Sequence, residues 1–186
     1  MPVGAGRDRA TALLGGPGDG GGCVHRGPTI DALDEWLSSA ARAWPDHPAV
    51  EADAGILTYA ELDAEATTAA RRLTALGVAA GDRVATTLPP GLELAALLHA
   101  LPRIGAALVP LNTRLPAAGQ RRQRELAGAR LVIDSPLLNG FEADIPVGGD
   151  LDPGAVHTVL FTSGTSGEPK AIELTVGNHE AAAAAS

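Results

Sequence analysis

Lysine is almost missing from this chain of 186 residues: of its 14 basic residues, 13 are arginine and one, Lys170, is lysine. Aromatic residues are scarce as well, at 3%. A core must therefore come from Leu, Val, Ile and 36 alanines, a composition that favours helices. A single cysteine, Cys23, excludes an internal disulfide framework and a multi-cysteine zinc site. No apolar run approaches the ~20 residues of a membrane span. Leu13 and Leu14 stand alone among glycines rather than forming a secretory apolar segment, so the expected compartment is the cytoplasm. Positive charge is short too: 14 − 22 = −8. That balance argues against nucleic acid and anionic membrane surfaces as partners. A chain of this length can bury roughly 70% of its unfolded surface, enough for one domain.

Residues 1–28 contain GGPGDGGG and scattered apolar positions, and are expected to be a disordered Gly-rich extension. Gly16-x-Gly18-x-x-Gly21 has dinucleotide-binding spacing, but no strand precedes it and no apolar helix follows, so the match carries no meaning. Residues 29–186 are expected to fold. Ile30, Leu33, Trp36 and Leu37 lie at helical spacing, ended by Pro45. Ala49–Glu51 and Gly55–Leu57 read as a short hairpin. Thr58 with Glu61 forms a capping box for a helix whose stripe is Leu62, Ala66, Ala69, Leu73 and Leu76, stopped by Gly77. Strands are expected at Arg83–Leu88, Ala106–Leu111, Leu131–Asp134 and His157–Phe161. Helices are expected at Leu92–Arg103 and Arg121–Leu126, with a loop over Asn139–Pro153. This alternation predicts an α/β fold in three layers, a mostly parallel sheet flanked by helices. Thr175 caps a last helix that ends in five alanines, which reads as a chain stopping in mid-domain, with a sheet edge and a helix face left uncovered.

One segment carries chemistry. Thr162-Ser-Gly-Thr-Ser-Gly-Glu-Pro-Lys170 follows the apolar strand directly and holds the only lysine. Gly164 and Gly167 let backbone N–H groups approach an anion closely. The hydroxyls of Thr162, Ser163, Thr165 and Ser166 add donors, and Lys170 adds a compact charge that a planar guanidinium does not replace. Strand, small-residue loop and basic residue is how α/β sheets take polyphosphate at strand carboxyl ends. The spacing is not that of a Walker A loop, and a plain flexible connection is the alternative. Within 162–175, Lys170 stands against Glu168 and Glu173, a net of 1 − 2 = −1. A nucleoside triphosphate of about four negative charges would need Mg²⁺ and backbone dipoles alongside this loop.

TSGTSGEPK resembles the signature loop of the adenylate-forming (AMP-binding) enzymes, the superfamily of acyl-CoA synthetases, peptide-synthetase adenylation domains and luciferases. LTYAELDAEA with Arg71, Arg72 and Leu73, then Gly77, Val78 and Gly81–Val84, resembles the family's first segment, and Leu97–Asn112 its second. LNTRL at 111–115 and GNH at 177–179 resemble the 2-succinylbenzoate–CoA ligase branch, of menaquinone biosynthesis. The resemblance implies the first part of that family's N-terminal domain. It also implies ATP, Mg²⁺ and CoA as cofactors and cosubstrates, and activation of a small carboxylic acid, 2-succinylbenzoate or another aromatic or fatty acid. It assigns Thr162, Ser163, Gly164, Thr165, Ser166, Gly167 and Lys170 to the β- and γ-phosphates, and Asn178 and His179 to the acyl pocket. Ala171 stands where the family usually has Gly, at a cost of roughly 1 kcal/mol if that position needs positive φ. The family's remaining acidic residues and its C-terminal lid, with a second lysine, have no counterpart among these residues. Three readings stay open: an acid–CoA ligase continued elsewhere, a fragment working with a second chain, and a binding module without catalysis. His25, His47, His99 and His157 have no partner at metal-ligand spacing and are assigned to surface or core, as no metal site is expected. Arg121, Arg122 and Arg124 read as a solvated face.

Overall fold

A computed structural model describes residues 36–136, 142–144, 151–163 and 169–185. The expected extension at 1–28 lies outside them, as does most of the expected 139–153 loop. Helix α1 (Trp36–Ala43) is followed by an antiparallel hairpin, β1 (Pro48–Ala52) and β2 (Gly55–Thr58). Helix α2 (Tyr59–Ala75) starts on the expected capping box, with Thr58 N donating to Glu61 at 2.8 Å and Glu61 N to the Thr58 hydroxyl at 3.3 Å. Four of its five stripe residues are buried; Leu76, the C-cap, is exposed because the helix turns off at Gly77, which has φ of 82°. Then follow β3 (Arg83–Thr86), α3 (Leu92–Ala100), β4 (Ala107–Pro110), α4 (Ala117–Ala127), β5 (Leu131–Ile133), β6 (Val156–Ser163), β7 (Pro169–Thr175) and α5 (Val176–Ala184). The expected helix to Arg103 stops at Ala100. Pro102 lacks the N–H to continue it and opens a 3-10 turn that ends at Gly105, φ 69°.

Strand order in the main sheet is β5-β3-β4-β6-β7, parallel except for the antiparallel pair β6–β7. Successive residues alternate between its faces. Val84, Leu108 and Ile133 join α2 and α3 in one core with Leu73, Leu97 and Leu101. Ala85, Val109 and Val159 face the other way, against Ala127 of α4. Helices thus cover both faces, giving the three layers expected for a mostly parallel sheet. The LNTRL motif is the joint that hangs α4: buried Gln123 accepts from Asn112 N at 3.0 Å, and Asn112 Oδ1 accepts from Arg114 N at 3.0 Å.

A charged node ties α1, α2 and the 3-10 turn after α3 together. Arg103 sits in the 3-10 turn with its side chain 2% exposed. It donates to Asp63 Oδ1 at 2.6 Å, Thr67 Oγ1 at 2.6 Å and the Asp63 carbonyl at 3.0 Å. Ser38 of α1 adds a hydrogen bond to Asp63 Oδ1 at 2.7 Å. A buried guanidinium is tolerable only with several such acceptors, here on both of its Nη atoms, and removing it strands the carboxylate. Arg103→Met should cost about 3 kcal/mol in urea unfolding, whereas Arg121→Met, at an exposed position of α4, should stay within about 0.5 kcal/mol. Equal, small losses in both variants would show that the node does not hold these pieces.

Candidate functional site

Strand β6 runs parallel to β4, so its carboxyl end lies on the edge where parallel α/β sheets bind ligands. There the chain reverses into β7. Thr162 pairs with Lys170 and Ser163 with Pro169, so the two ends of the signature segment lie side by side on antiparallel strands. Gly164, Thr165, Ser166 and Gly167 lie outside the described residues. Thr162 and Lys170 are both exposed and, as directly opposed residues, share one face of the sheet. Ala171 pairs with Phe161 inside regular strand, in extended backbone that any side chain accepts, so the expected cost of replacing glycine does not arise there.

The charge sum also changes. Glu173 lies on the opposite face of β7 from Lys170, by strand alternation, and forms an ion pair with Arg83 of β3. Arg83 also donates to the Ala127 carbonyl at 2.9 Å. Glu173 is therefore held beneath the sheet, on the α4 side, and leaves Lys170 as the charged residue of β7 on the opposite face.

At the other end of β6, register shifts between Val156 and Thr158 as it passes β7. This bulge makes His157 and Thr158 point to the same side, while Val156 and Val159 both join the α4-side core. His157 and Thr158 are each 4% exposed. Thr175 caps α5 as expected, with Asn178 completing a capping box that the sequence reading did not anticipate. Asn178 N donates to the Thr175 hydroxyl at 3.2 Å, and Thr175 N donates to Asn178 Oδ1 at 3.0 Å. The carboxamide oxygen of Asn178 thus serves the helix start. His179, one residue on, reaches back to β6: its Nε2 lies 2.9 Å from Thr158 Oγ1, and its ring centroid 4.4 Å from that of His157. On the far side, the His157 ring stacks on Trp36 at 5.8 Å, and Trp36 Nε1 donates to Glu180 at 3.3 Å. The structure thus gathers Trp36, His157, Thr158, His179 and Glu180. Of these, sequence reasoning singled out only His179. His157 was assigned only to surface or core, and no sequence signal marks a bulge. Between this cluster and Thr162–Lys170, the same face carries Leu160 and Ile172, both exposed.

Burial pushes the His157 imidazole down to about 4, with the neighbouring His179 and His99 adding repulsion. Among the described residues, its Nδ1 has no hydrogen-bond partner and no group of three potential metal ligands exists. A cavity of about 330 Å³ between α2 and α3, lined by Glu65, Arg72, Glu93, Leu97 and Glu142, contains none of the sequence-predicted site residues. No helix of the described residues is long and apolar enough to cross a membrane.

Residues 37–147 match the model of a family described as AMP-binding enzyme. A 2-succinylbenzoate–CoA ligase of Bacillus cereus is 30% identical over 171 residues, covering 84% of this chain and 36% of the ligase. The fold is similar to o-succinylbenzoate CoA synthetase of Bacillus subtilis in complex with the acyl-adenylate intermediate, with TM-score 0.75 and 27% identity over 81% of this chain and 44% of that one. The same synthetase in complex with ATP and magnesium ion gives TM-score 0.74 and 26% identity over 81% and 46%. The chain thus spans little more than a third of the length of the curated relatives it matches.

Folded protein keeps His157 neutral down to about pH 4, whereas the unfolded chain takes up that proton near pH 6.5. Stability is therefore full above the unfolded value and is lost as pH falls through this window, by about 2 kcal/mol between pH 7 and pH 5. Urea midpoints at the two pH values should show this loss, and His157→Phe, which keeps a ring but cannot titrate, should show that much less of it. Identical slopes in both proteins would remove His157 as the cause.

Proposed function

The chain belongs to the AMP-binding enzyme family, and from that premise we propose that it is the phosphate-holding and acyl-facing part of an ATP-dependent acid–CoA ligase whose acid is 2-succinylbenzoate. In this reading a carboxylate oxygen attacks the α-phosphorus of ATP. An O–P bond forms, the bond to the β-phosphate bridge breaks, and pyrophosphate leaves with its electron pair. The thiol of CoA then attacks the acyl carbon, loses its proton and displaces AMP. Carboxylate and triphosphate repel each other, so the first step depends on positioning and on charge stabilisation.

The observation that carries the reading is the β6–β7 hairpin. It places Thr162 and Lys170 side by side at the carboxyl edge of the parallel strands, with a Gly/Ser/Thr sequence between them. These residues offer a hydroxyl and an ammonium to a polyphosphate, and Ser163, Gly164, Thr165, Ser166 and Gly167 are assigned to the same β- and γ-phosphates. Mg²⁺ accompanies the nucleotide as its counterion. His179 is assigned to the acyl group, with Asn178 at the helix start beside it. The choice of acid rests on the similarity to 2-succinylbenzoate–CoA ligases; a fatty or other aromatic acid is the alternative. The remaining parts of the reaction belong to polypeptide beyond these residues, in the same chain or in a second one, and the setting is the cytoplasm.

The test is acid-dependent exchange of labelled pyrophosphate into ATP by the intact protein. 2-Succinylbenzoate should support exchange, and Lys170→Ala should lower it about ten- to a hundredfold, the worth of one charge-assisted contact. Lys170→Arg should not restore it, since a guanidinium fork does not replace a compact ammonium. Full exchange by Lys170→Ala would overturn the loop assignment. Exchange with benzoate or a fatty acid but not with 2-succinylbenzoate would overturn the choice of acid.

A further inference from the structure

We propose that Thr158 is a positioning residue for His179, fixing its imidazole in the tautomer that carries the proton on Nδ1, with the His157 ring as the wedge that keeps the imidazole from turning. Taken as a donor toward the acyl substrate, the inference rests on the acid-activating reading above; taken as a statement about the ring, it does not.

Thr158 is buried in β6, and its hydroxyl has one proton to place. Among the described residues the hydrogen bond recorded for that hydroxyl is the one to His179 Nε2, at 2.9 Å. Were Nε2 the protonated nitrogen, two protons would meet across this contact unless the threonine turned its own proton into the core without an acceptor. A buried donor left unpaired costs more than a spare lone pair. The threonine therefore donates, Nε2 accepts, and the imidazole proton resides on Nδ1. A half-turn of the ring about its Cβ–Cγ bond would put carbon Cε1 where Nε2 stands and forfeit the bond. The His157 ring, 4.4 Å away and tilted by 47°, packs against that motion, and it is itself backed by Trp36 at 5.8 Å. The bulge makes this arrangement possible, because only there do two successive β6 side chains reach the same neighbour. The product is a pre-oriented N–H on α5, suited to a carboxylate or carbonyl oxygen of the acid being activated.

The experiment uses intact protein labelled with ¹⁵N-histidine, with His179→Gln to assign the resonance. At neutral pH the wild-type His179 should show Nδ1 protonated and Nε2 bare. Thr158→Val, which keeps the shape and loses the hydroxyl, should give a mixture of tautomers, and Thr158→Ser should restore the single one. In pyrophosphate exchange, Thr158→Val should raise KM for the acid about tenfold while leaving KM for ATP within twofold, and Thr158→Ser should recover it. Unchanged His179 resonances in Thr158→Val, or an Nε2-protonated ring in the wild type, would overturn the inference. So would a parallel rise of both KM values, which would reveal a merely structural threonine. Absence of exchange in the wild type would instead defeat the acid-activating reading and leave the tautomer comparison to be decided by the resonances alone.

Discussion

Strand β6 is the constraint on which the site depends, because it is paired in two different senses at once. On one side it is the last of the parallel strands, registered on β4 through Leu108 and Thr158; on the other it turns back antiparallel against β7. The parallel pairing brings its carboxyl end to the ligand-binding edge, and the antiparallel pairing returns Lys170 to a position opposite Thr162. From Thr158 to Thr162 is four residues, or about 13 Å at the rise of an extended strand. The imidazole of His179 stands at one end of that span and the ammonium of Lys170 at the other, with exposed Leu160 and Ile172 between. Two polar anchors separated by an apolar strip suit a ligand that is anionic at one end and carries a hydrocarbon body.

What keeps β6 in place is a core built from small residues. With few aromatics, α2 and α3 approach each other through Ala66, Ala69, Ala70, Ala96 and Ala100, each fully or nearly fully buried. Alanine contributes little area per residue, so the packing needs anchors of another kind. Arg103 supplies one, joining the turn after α3 to α2 through Asp63 and Thr67. The Trp36–His157–His179 stack supplies another, joining α1 to β6 and α5. The second anchor is also the candidate acyl site, so changes to His157 are expected to alter stability and the setting of His179 together.

The sequence made most of the scaffold legible. The Thr58–Glu61 box, the apolar stripe of α2 and the alternation of strand and helix rest on local signals, and each element stands within a few residues of its expected place. Elements came out shorter where proline intervenes, as at Pro102. Segment 162–170 stands out in the sequence because its residue types are chemically unusual, but positions 164–168 fall outside the described residues, and its phosphate role is a proposal. The histidine cluster was not legible. His157 and His179 are 22 positions apart, and what brings them together is one extra residue in a strand, a long-range register effect with no local signature. Asn178 was read toward a ligand because it follows a family motif, while the local geometry first employs it as the partner of Thr175. Its sequence offered a sign of this, since a polar acceptor three residues after a threonine cap fits a capping box.

The single lysine gains its meaning from what lies around it. Glu173 follows Lys170 by three positions, and counted along the chain it cancels the charge. In three dimensions alternation sends it to the other face, where Arg83 neutralises it. The ammonium of Lys170 is therefore opposed across β7 by no carboxylate of its own face among the described residues of the hairpin, at the carboxyl end of β6. One positive charge still falls short of the roughly four negative charges of a nucleoside triphosphate, so backbone dipoles and a divalent counterion remain necessary for the reaction proposed here. The chain's overall charge of −8 sharpens the point. A surface this acidic repels free nucleotide at long range, and only a local, oriented arrangement of donors at the hairpin can reverse that repulsion at contact distance.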